Sequence, residues 1–266
     1  MGNIKLIVSD VDGTLIDHTE AISEELIETV NACKNRGILF CLATGRTFEL
    51  ADPIIKKLGI DAPCVEANGA VIVQGEKCLL EHGFSLEPVK DILIDAHRLG
   101  LTVTVADAFE ERAFEETDYV IQHKAFGGRF KRLLPPDSIN WRNDRFQKVM
   151  VMDEHNTGKV ESIRERFMQH SERYWITTYS NRAVELGPMG CNKATGVKEL
   201  AALLGIDMKN VMACGDYLND LEMITSAGYG VAVGNAHDCV KSAAVYTSSG
   251  CYAQGVVEAI HALCFQ

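Results

Sequence analysis

The sequence predicts an α/β fold, a doubly wound and mostly parallel sheet interrupted by an inserted α+β domain. Three observations carry this expectation. Short apolar runs such as Ile4–Val8, Ile38–Ala43 and Val211–Cys214 each stop at polar turn residues and are followed by helical periodicity. From 85 to 185 that rhythm is replaced by helix, strand, strand, an irregular stretch, strand, helix, strand, strand. From Cys191 the alternation returns, so the two flanks should close one sheet around the insert. The expected division is a core of 1–84 plus 186–266, with 85–185 inserted.

Taken in order, the opening run ends at Asp10-Val11-Asp12-Gly13-Thr14, and Gly13 permits a sharp turn. A helix is expected from Thr19 to Gly37, with Ser23 as a cap, Glu24 and Glu25 in the first turn, and Leu26, Val30 and Cys33 on one face. The second apolar strand ends at Thr44-Gly45-Arg46. Another helix follows to about Gly59, which Pro53 must bend or begin. Val71–Val73 and Cys78–Leu80 flank a hairpin turn. In the insert, Leu86–Leu99 and Thr157–Gln169 read as helices. Thr102–Val105, Lys148–Met152, Trp175–Thr178 and Ala183–Leu186 read as strands. Helix Lys193–Leu204, strand Val211–Cys214 and the turn Gly215–Asp220 follow. The chain then runs through a helix to Ala227, strand Gly230–Val233, helix Asp238–Ala243, strand Val245–Thr247 and a last helix to Cys264.

Composition narrows the function. With 266 residues, 47% hydrophobic and 24% charged, the chain is that of a globular protein, and no apolar run reaches the roughly 20 residues of a membrane span. The N-terminus enters the first strand too soon for a signal peptide. Nine scattered cysteines, never spaced CxxC, favour a reduced cytoplasm over a disulfide framework. A net charge of −11 argues against nucleic acid. It also means that an anionic substrate would need a local positive pocket.

Two carboxylates at the end of an apolar strand must be solvated, paired or metal-bound, and the carboxyl edge of an open α/β sheet is where ligands bind. Asp10 is the candidate nucleophile and Asp12 the candidate general acid/base, joined by Mg²⁺. Asp216, at the tip of a separate strand, is a further metal-ligand candidate. Asp220 reads equally as a ligand or as the cap of the next helix, and Asn219 as a phosphate donor or a turn residue. Thr44 and Gly45 head a helix and so offer an anion site, although a strand–helix turn explains them as well. Lys193 at a helix start opposes the macrodipole, a misfit that favours a role in neutralising phosphate. Arg142, Arg145 and Lys148 beside Trp141 read as a solvated loop. No metal-spaced histidine pair, P-loop or GxSxG elbow is present.

The ordered set DxDGT at Asp10–Thr14, TGR at Thr44–Arg46, Lys193 at a helix start and GDxxND at Gly215–Asp220 resembles the haloacid dehalogenase superfamily. The insert between TGR and the lysine resembles the large α/β cap of its Cof-type (IIB) hydrolases, as do Asn68-Gly69-Ala70 and Gly234-Asn235-Ala236. The resemblance implies a Mg²⁺-dependent phosphatase acting on sugar phosphates or similar small phosphorylated metabolites through an aspartyl phosphate. Asp10 would be nucleophile and metal ligand. Asp12 would be acid/base and would ligate through its carbonyl, with the Val11 N–H touching phosphate. Thr44, Gly45, Lys193 and Asn219 would bind phosphate, Arg46 would lie near the cap-facing side, Asp216 would ligate the metal, and Asp220 would support it. The second acid, Asp12, favours a phosphatase over a dehalogenase. A phosphomutase, a non-catalytic phosphometabolite sensor and a phospho-acceptor switch are the competing expectations. The chain is expected to be a cytoplasmic monomer or weak homo-oligomer with neither nucleic-acid nor membrane partners.

Overall fold

The computed structural model describes residues 3–127 and 129–265. They form two compact units. The first comprises the chain up to Arg46, Leu50–Leu80, and everything from Asn192 onward; the second comprises Thr47–Glu49 and Glu81–Cys191.

In chain order the first unit opens with β1 (Leu6–Ser9), α1 (Glu24–Asn35), β2 (Leu39–Leu42), α2 (Phe48–Leu58), β3 (Cys64–Glu66), β4 (Val71–Gln74) and β5 (Lys77–Glu81). α1 starts later than Thr19 because the Ser23 hydroxyl accepts from the Leu26 N–H and fixes the helix start at Glu24. Glu20, in the left-handed region at φ 55°, lies before that start. α2 runs through Pro53 rather than starting there.

The second unit holds α3 (Lys90–Arg98), β6 (Thr102–Ala106), β7 (Glu111–Ala113), α4 (Asp118–Gly127), β8 (Lys148–Met152), α5 (Lys159–Met168), β9 (Tyr174–Tyr179) and β10 (Ala183–Pro188). Its sheet has the order β7-β6-β8-β10-β9 and is antiparallel throughout. Alternation puts Val103, Val105, Val149, Val151, Val184 and Leu186 on one face. That face buries Ile92, Leu93 and Ala96 of α3 and Val160, Ile163 and Phe167 of α5. Pro88 sits in a short 3₁₀ turn ahead of α3, so the α-helix begins four residues after Leu86. α4 has no counterpart in the sequence reading: Ile121, Gln122, Lys124 and Ala125 are all exposed, so no apolar stripe marks it.

The first unit resumes with α6 (Lys193–Leu203), β11 (Val211–Gly215), α7 (Leu221–Ser226), β12 (Tyr229–Ala232), α8 (Asp238–Ala243), β13 (Tyr246–Thr247) and α9 (Tyr252–Cys264). Its main sheet runs β13-β12-β11-β1-β2, all parallel, with Ser9 paired to both Cys214 and Leu42. β1 is therefore central, and the residues following β1, β2 and β11 emerge at one carboxyl edge. All nine cysteines are free thiols, and Cys33, Cys41, Cys64 and Cys214 are buried. Among the described residues no helix is long and apolar enough to cross a membrane.

Candidate active site

The carboxyl edge of the parallel sheet brings together side chains far apart in sequence. Asp10 leaves β1 with its N–H donating to the Cys214 carbonyl at 3.0 Å, which continues the ladder one residue past the strand. On the other side the Ala43 N–H donates to the Ser9 carbonyl at 2.8 Å, so the loop after β2 stays alongside. Asp10 is only 4% exposed.

Lys193 meets it from the first position of α6. Asn192 caps that helix in a reciprocal capping box with Thr195, which fixes where the helix begins and therefore where Lys193 projects. The Lys193 ammonium donates to Asp10 Oδ1 at 2.5 Å and to Asp220 Oδ1 at 2.7 Å. Burial alone would lower Lys193, but Asp10 and Asp220 outweigh it and hold the ammonium above its ordinary value. Burial pushes the Asp10 carboxyl up to about 7, with Asp220 adding to the rise and Lys193 opposing it.

Asp220 is fully buried, and its Oδ2 accepts from the backbone N–H groups of Asp216 and Tyr217 at 3.0 and 3.1 Å. It therefore fastens the turn after β11 as well as Lys193. Asp216 is half-buried, and the Thr14 hydroxyl donates to its Oδ1 at 2.8 Å while lying 3.4 Å from Asp10 Oδ2. Burial raises Asp216, and Thr14 partly offsets the rise. Gly13 is required here. It has φ +90°, and a Cβ on it would overlap the Asp216 carboxylate.

Asp10, Asp216 and Asp220 each offer an oxygen within 4.8 Å of the others. Three carboxylates against one ammonium leave an excess of negative charge in a poorly solvated place. An all-oxygen donor set with that excess fits a hard divalent cation such as Mg²⁺. Asp10 and Asp216 are the carboxylates best placed to hold it. Asp220 is held at Oδ1 by Lys193 and at Oδ2 by two backbone N–H groups, whereas Asp10 Oδ2 meets the Thr14 hydroxyl only at 3.4 Å.

The remaining sequence candidates divide. Thr44 is fully buried and its hydroxyl accepts from the Arg46 N–H at 3.0 Å, closing the turn after β2. Gly45 lies against Asn68, whose side chain would meet a Cβ there at 2.9 Å. The Val11 backbone acts to lower the Asp10 carboxyl, the smallest of the influences on it. Asn219 is exposed in the turn Leu218–Asp220. The Asp12 carboxylate lies outside the acid cluster. Its side chain is 58% exposed and it accepts from Arg46 Nε at 2.9 Å and Nη2 at 2.6 Å. Arg46 also bonds Glu20, and the Asp12 bonds lead in holding its guanidinium above its ordinary value.

Two residues given no individual role in the sequence reading belong to the site. Thr14 bridges two acids, and Asn235 donates to the Gly13 carbonyl at 2.8 Å. Both sit inside quoted motifs, which was the available signal.

Comparison with known proteins places the chain in a family. A family model described as haloacid dehalogenase-like hydrolase matches residues 7–260. The chain is 29% identical over 260 residues to the 5-amino-6-(5-phospho-D-ribitylamino)uracil phosphatase of Bacillus subtilis, covering 97% of this chain and 95% of that protein. It is 29% identical over 258 residues to a phosphoglycolate phosphatase of Methanoculleus marisnigri, again covering 97% and 95%. A solved haloacid dehalogenase-like hydrolase from Bacteroides thetaiotaomicron superposes with a TM-score of 0.81 at 28% identity, over 98% of this chain and 99% of that one. The chain belongs to the haloacid dehalogenase-like hydrolases, in their Cof-type branch.

Proposed function

We propose that this enzyme hydrolyses small phosphomonoesters, sugar phosphates or similar metabolites, through an aspartyl phosphate on Asp10. The carrying observation is Asp10 itself, a buried carboxylate at the tip of the central strand with Lys193 at 2.5 Å. As a phosphoric monoester hydrolase it must split a very slow reaction into two easier ones. In the first, an Asp10 carboxylate oxygen bonds phosphorus, the ester P–O bond breaks, and the leaving oxygen takes a proton from Asp12. In the second, Asp12 removes a proton from water, the water oxygen bonds phosphorus, and inorganic phosphate leaves with Asp10 regenerated.

Lys193 holds Asp10 by one oxygen and offers positive charge to the phosphoryl group, with the Thr44–Gly45 turn and Asn219 as further phosphate contacts. For Asp12 to act on the leaving group it must release Arg46 and enter the first step as the protonated acid, the form that the water proton restores in the second. Mg²⁺ on Asp10, Asp216 and the Asp12 carbonyl would neutralise the charge that otherwise repels a phosphate dianion. Asp220 supports by orienting Lys193 and the Asp216 turn. Residues 85–185 take the role of a cap that selects the organic part of the substrate, and the cytoplasm is the compartment in which such metabolites occur.

The test is a metabolite panel with released phosphate as readout. Wild-type turnover should require Mg²⁺, and Asp10→Asn should lose at least about a thousandfold in kcat while staying folded. Full activity in Asp10→Asn would exclude the mechanism. Isomerised sugar phosphate in place of free phosphate would move the enzyme to the mutases.

A further inference from the structure

The loop carrying Asp10 and Asp12 is held from a distant part of the chain. The Asn235 Nδ2 donates to the Gly13 carbonyl at 2.8 Å, and its Oδ1 accepts from the Tyr252 N–H at 2.8 Å. The two bonds together fix which way the amide points. Asn235 follows β12, and Tyr252 opens α9 in the left-handed region at φ 51°. The segment between them is itself anchored. The Gly234 N–H donates to the Gly250 carbonyl at 2.7 Å, and the Glu258 carboxylate accepts from the N–H groups of Ser249 and Gly250 and from the Ser249 hydroxyl. Those bonds, led by the Ser249 hydroxyl, pull Glu258 down to about 2.

At the other end of Asn235 the tolerance is small. Gly13 touches the Asp216 carboxylate so closely that no Cβ fits. A shift of the Gly13 carbonyl therefore alters the spacing between the Asp10–Asp12 loop and Asp216. We propose that Asn235 is a positioning residue for phosphoryl transfer, tying the Gly13 turn to the start of α9 and so setting the Asp10–Asp12 loop against Asp216. It never touches the reacting atoms. This proposal rests on the phosphatase reading above and adds to it the group that sets its geometry.

Misplacing a reacting group by about 1 Å can cost on the order of a hundredfold, and partners one shell out from a metal typically cost 10–100-fold in affinity or activity. The experiment uses the full chain as wild type, Asn235→Ala, Asn235→Ser and Val30→Ala. Val30 is a buried residue of α1 that takes part in none of these hydrogen bonds and serves as a stability control. Mn²⁺ binding is read by electron paramagnetic resonance without substrate, kcat and KM with p-nitrophenyl phosphate and Mg²⁺, and the unfolding midpoint by circular dichroism.

Both Asn235 variants should lose about 10–100-fold in Mn²⁺ affinity and in kcat, with KM changing less. Val30→Ala should lower the midpoint and leave kcat and Mn²⁺ affinity as in wild type. Asn235 variants that match an active wild type in both readouts overturn the proposal. So does Val30→Ala losing kcat as they do, since the effect would then be general destabilisation. A wild type with neither Mn²⁺ binding nor turnover would remove the phosphatase reading as well, which separates the two failures.

Discussion

At Lys193 one ammonium holds two carboxylates that water barely reaches. The side chain is 2% exposed, against 6% for Asp10 and 0% for Asp220. A buried pair adds little stability against an apolar substitute of both partners, because desolvation of the ions cancels most of the attraction. Removing one partner is a different matter, since the charges left behind have nothing to compensate them. Lys193→Met keeps most of the aliphatic stem and deletes the charge. It is expected to destabilise the first unit by about 3–5 kcal/mol and to abolish turnover. Chemical denaturation and a phosphate-release assay check both halves. A Met variant as stable and active as wild type would show that Lys193 neither binds phosphate nor balances the acids. The same residue shows how function overrides local preference, because a lysine at the first position of α6 opposes the helix dipole. That misfit made Lys193 legible in the sequence. Arg46 gives the opposite lesson. Its clamp on Asp12 joins two motif residues 34 apart, and neither motif alone indicates that they pair.

Among the elements, β3 and the turn after it brace the Thr44–Arg46 loop. Thr44 N–H donates to the Val65 carbonyl at 2.9 Å, Ala67 N–H to the Arg46 carbonyl at 2.9 Å, and Asn68 N–H to the Thr44 carbonyl at 3.0 Å. Within this brace lies Glu66, 1% exposed, neither of whose carboxylate oxygens has a hydrogen-bond partner. Burial, with Asp52 of α2 adding to it, pushes Glu66 up from an ordinary 4.5 to about 8. The folded state thus holds a proton that the unfolded chain gives up at lower pH. The contribution is fully present below about 4.5 and is lost as pH rises through about 8. Glu66→Gln replaces the carboxylic acid with a neutral group of the same shape. Between pH 5 and 8.5 the wild-type unfolding midpoint should fall relative to that of Glu66→Gln; parallel curves would place an ionised Glu66 in the folded protein. Strand tips such as Asp10, Thr44 and Asp216 were legible because an apolar run ending in a polar turn is a local pattern. The bonds Thr14–Asp216 and Asn235–Gly13 span 202 and 222 residues. They depend on β11 lying beside β1, which is decided by strand pairing across the whole insert. α4 was not legible for the opposite reason, since its exposed residues Ile121, Gln122, Lys124 and Ala125 interrupt any apolar period.

The two largest hydrophobic clusters among the described residues have no member in common, one lying in each unit. The first is built on the parallel sheet and carries every acid of the candidate site. The second is built on the antiparallel sheet with α3 and α5. A ligand that binds only the folded form of one unit stabilises that unit by RT ln(1 + [L]/Kd), or about 2.7 kcal/mol at a hundredfold excess over Kd. Mg²⁺ on Asp10 and Asp216 should therefore raise the stability of the first unit and leave the second where it was. The sequence supplies a reporter, because its two tryptophans, Trp141 and Trp175, both lie in the second unit. Tryptophan fluorescence follows that unit alone, whereas far-ultraviolet circular dichroism follows helices and strands in both. In thermal melts with and without excess Mg²⁺, the dichroism transition should move upward or split, and the fluorescence midpoint should stay fixed. Asp216→Asn should remove the Mg²⁺ response and leave the fluorescence curve unchanged. If fluorescence and dichroism instead shift together, the units unfold as one cooperative body. The separate cores would then not act as separate folding units.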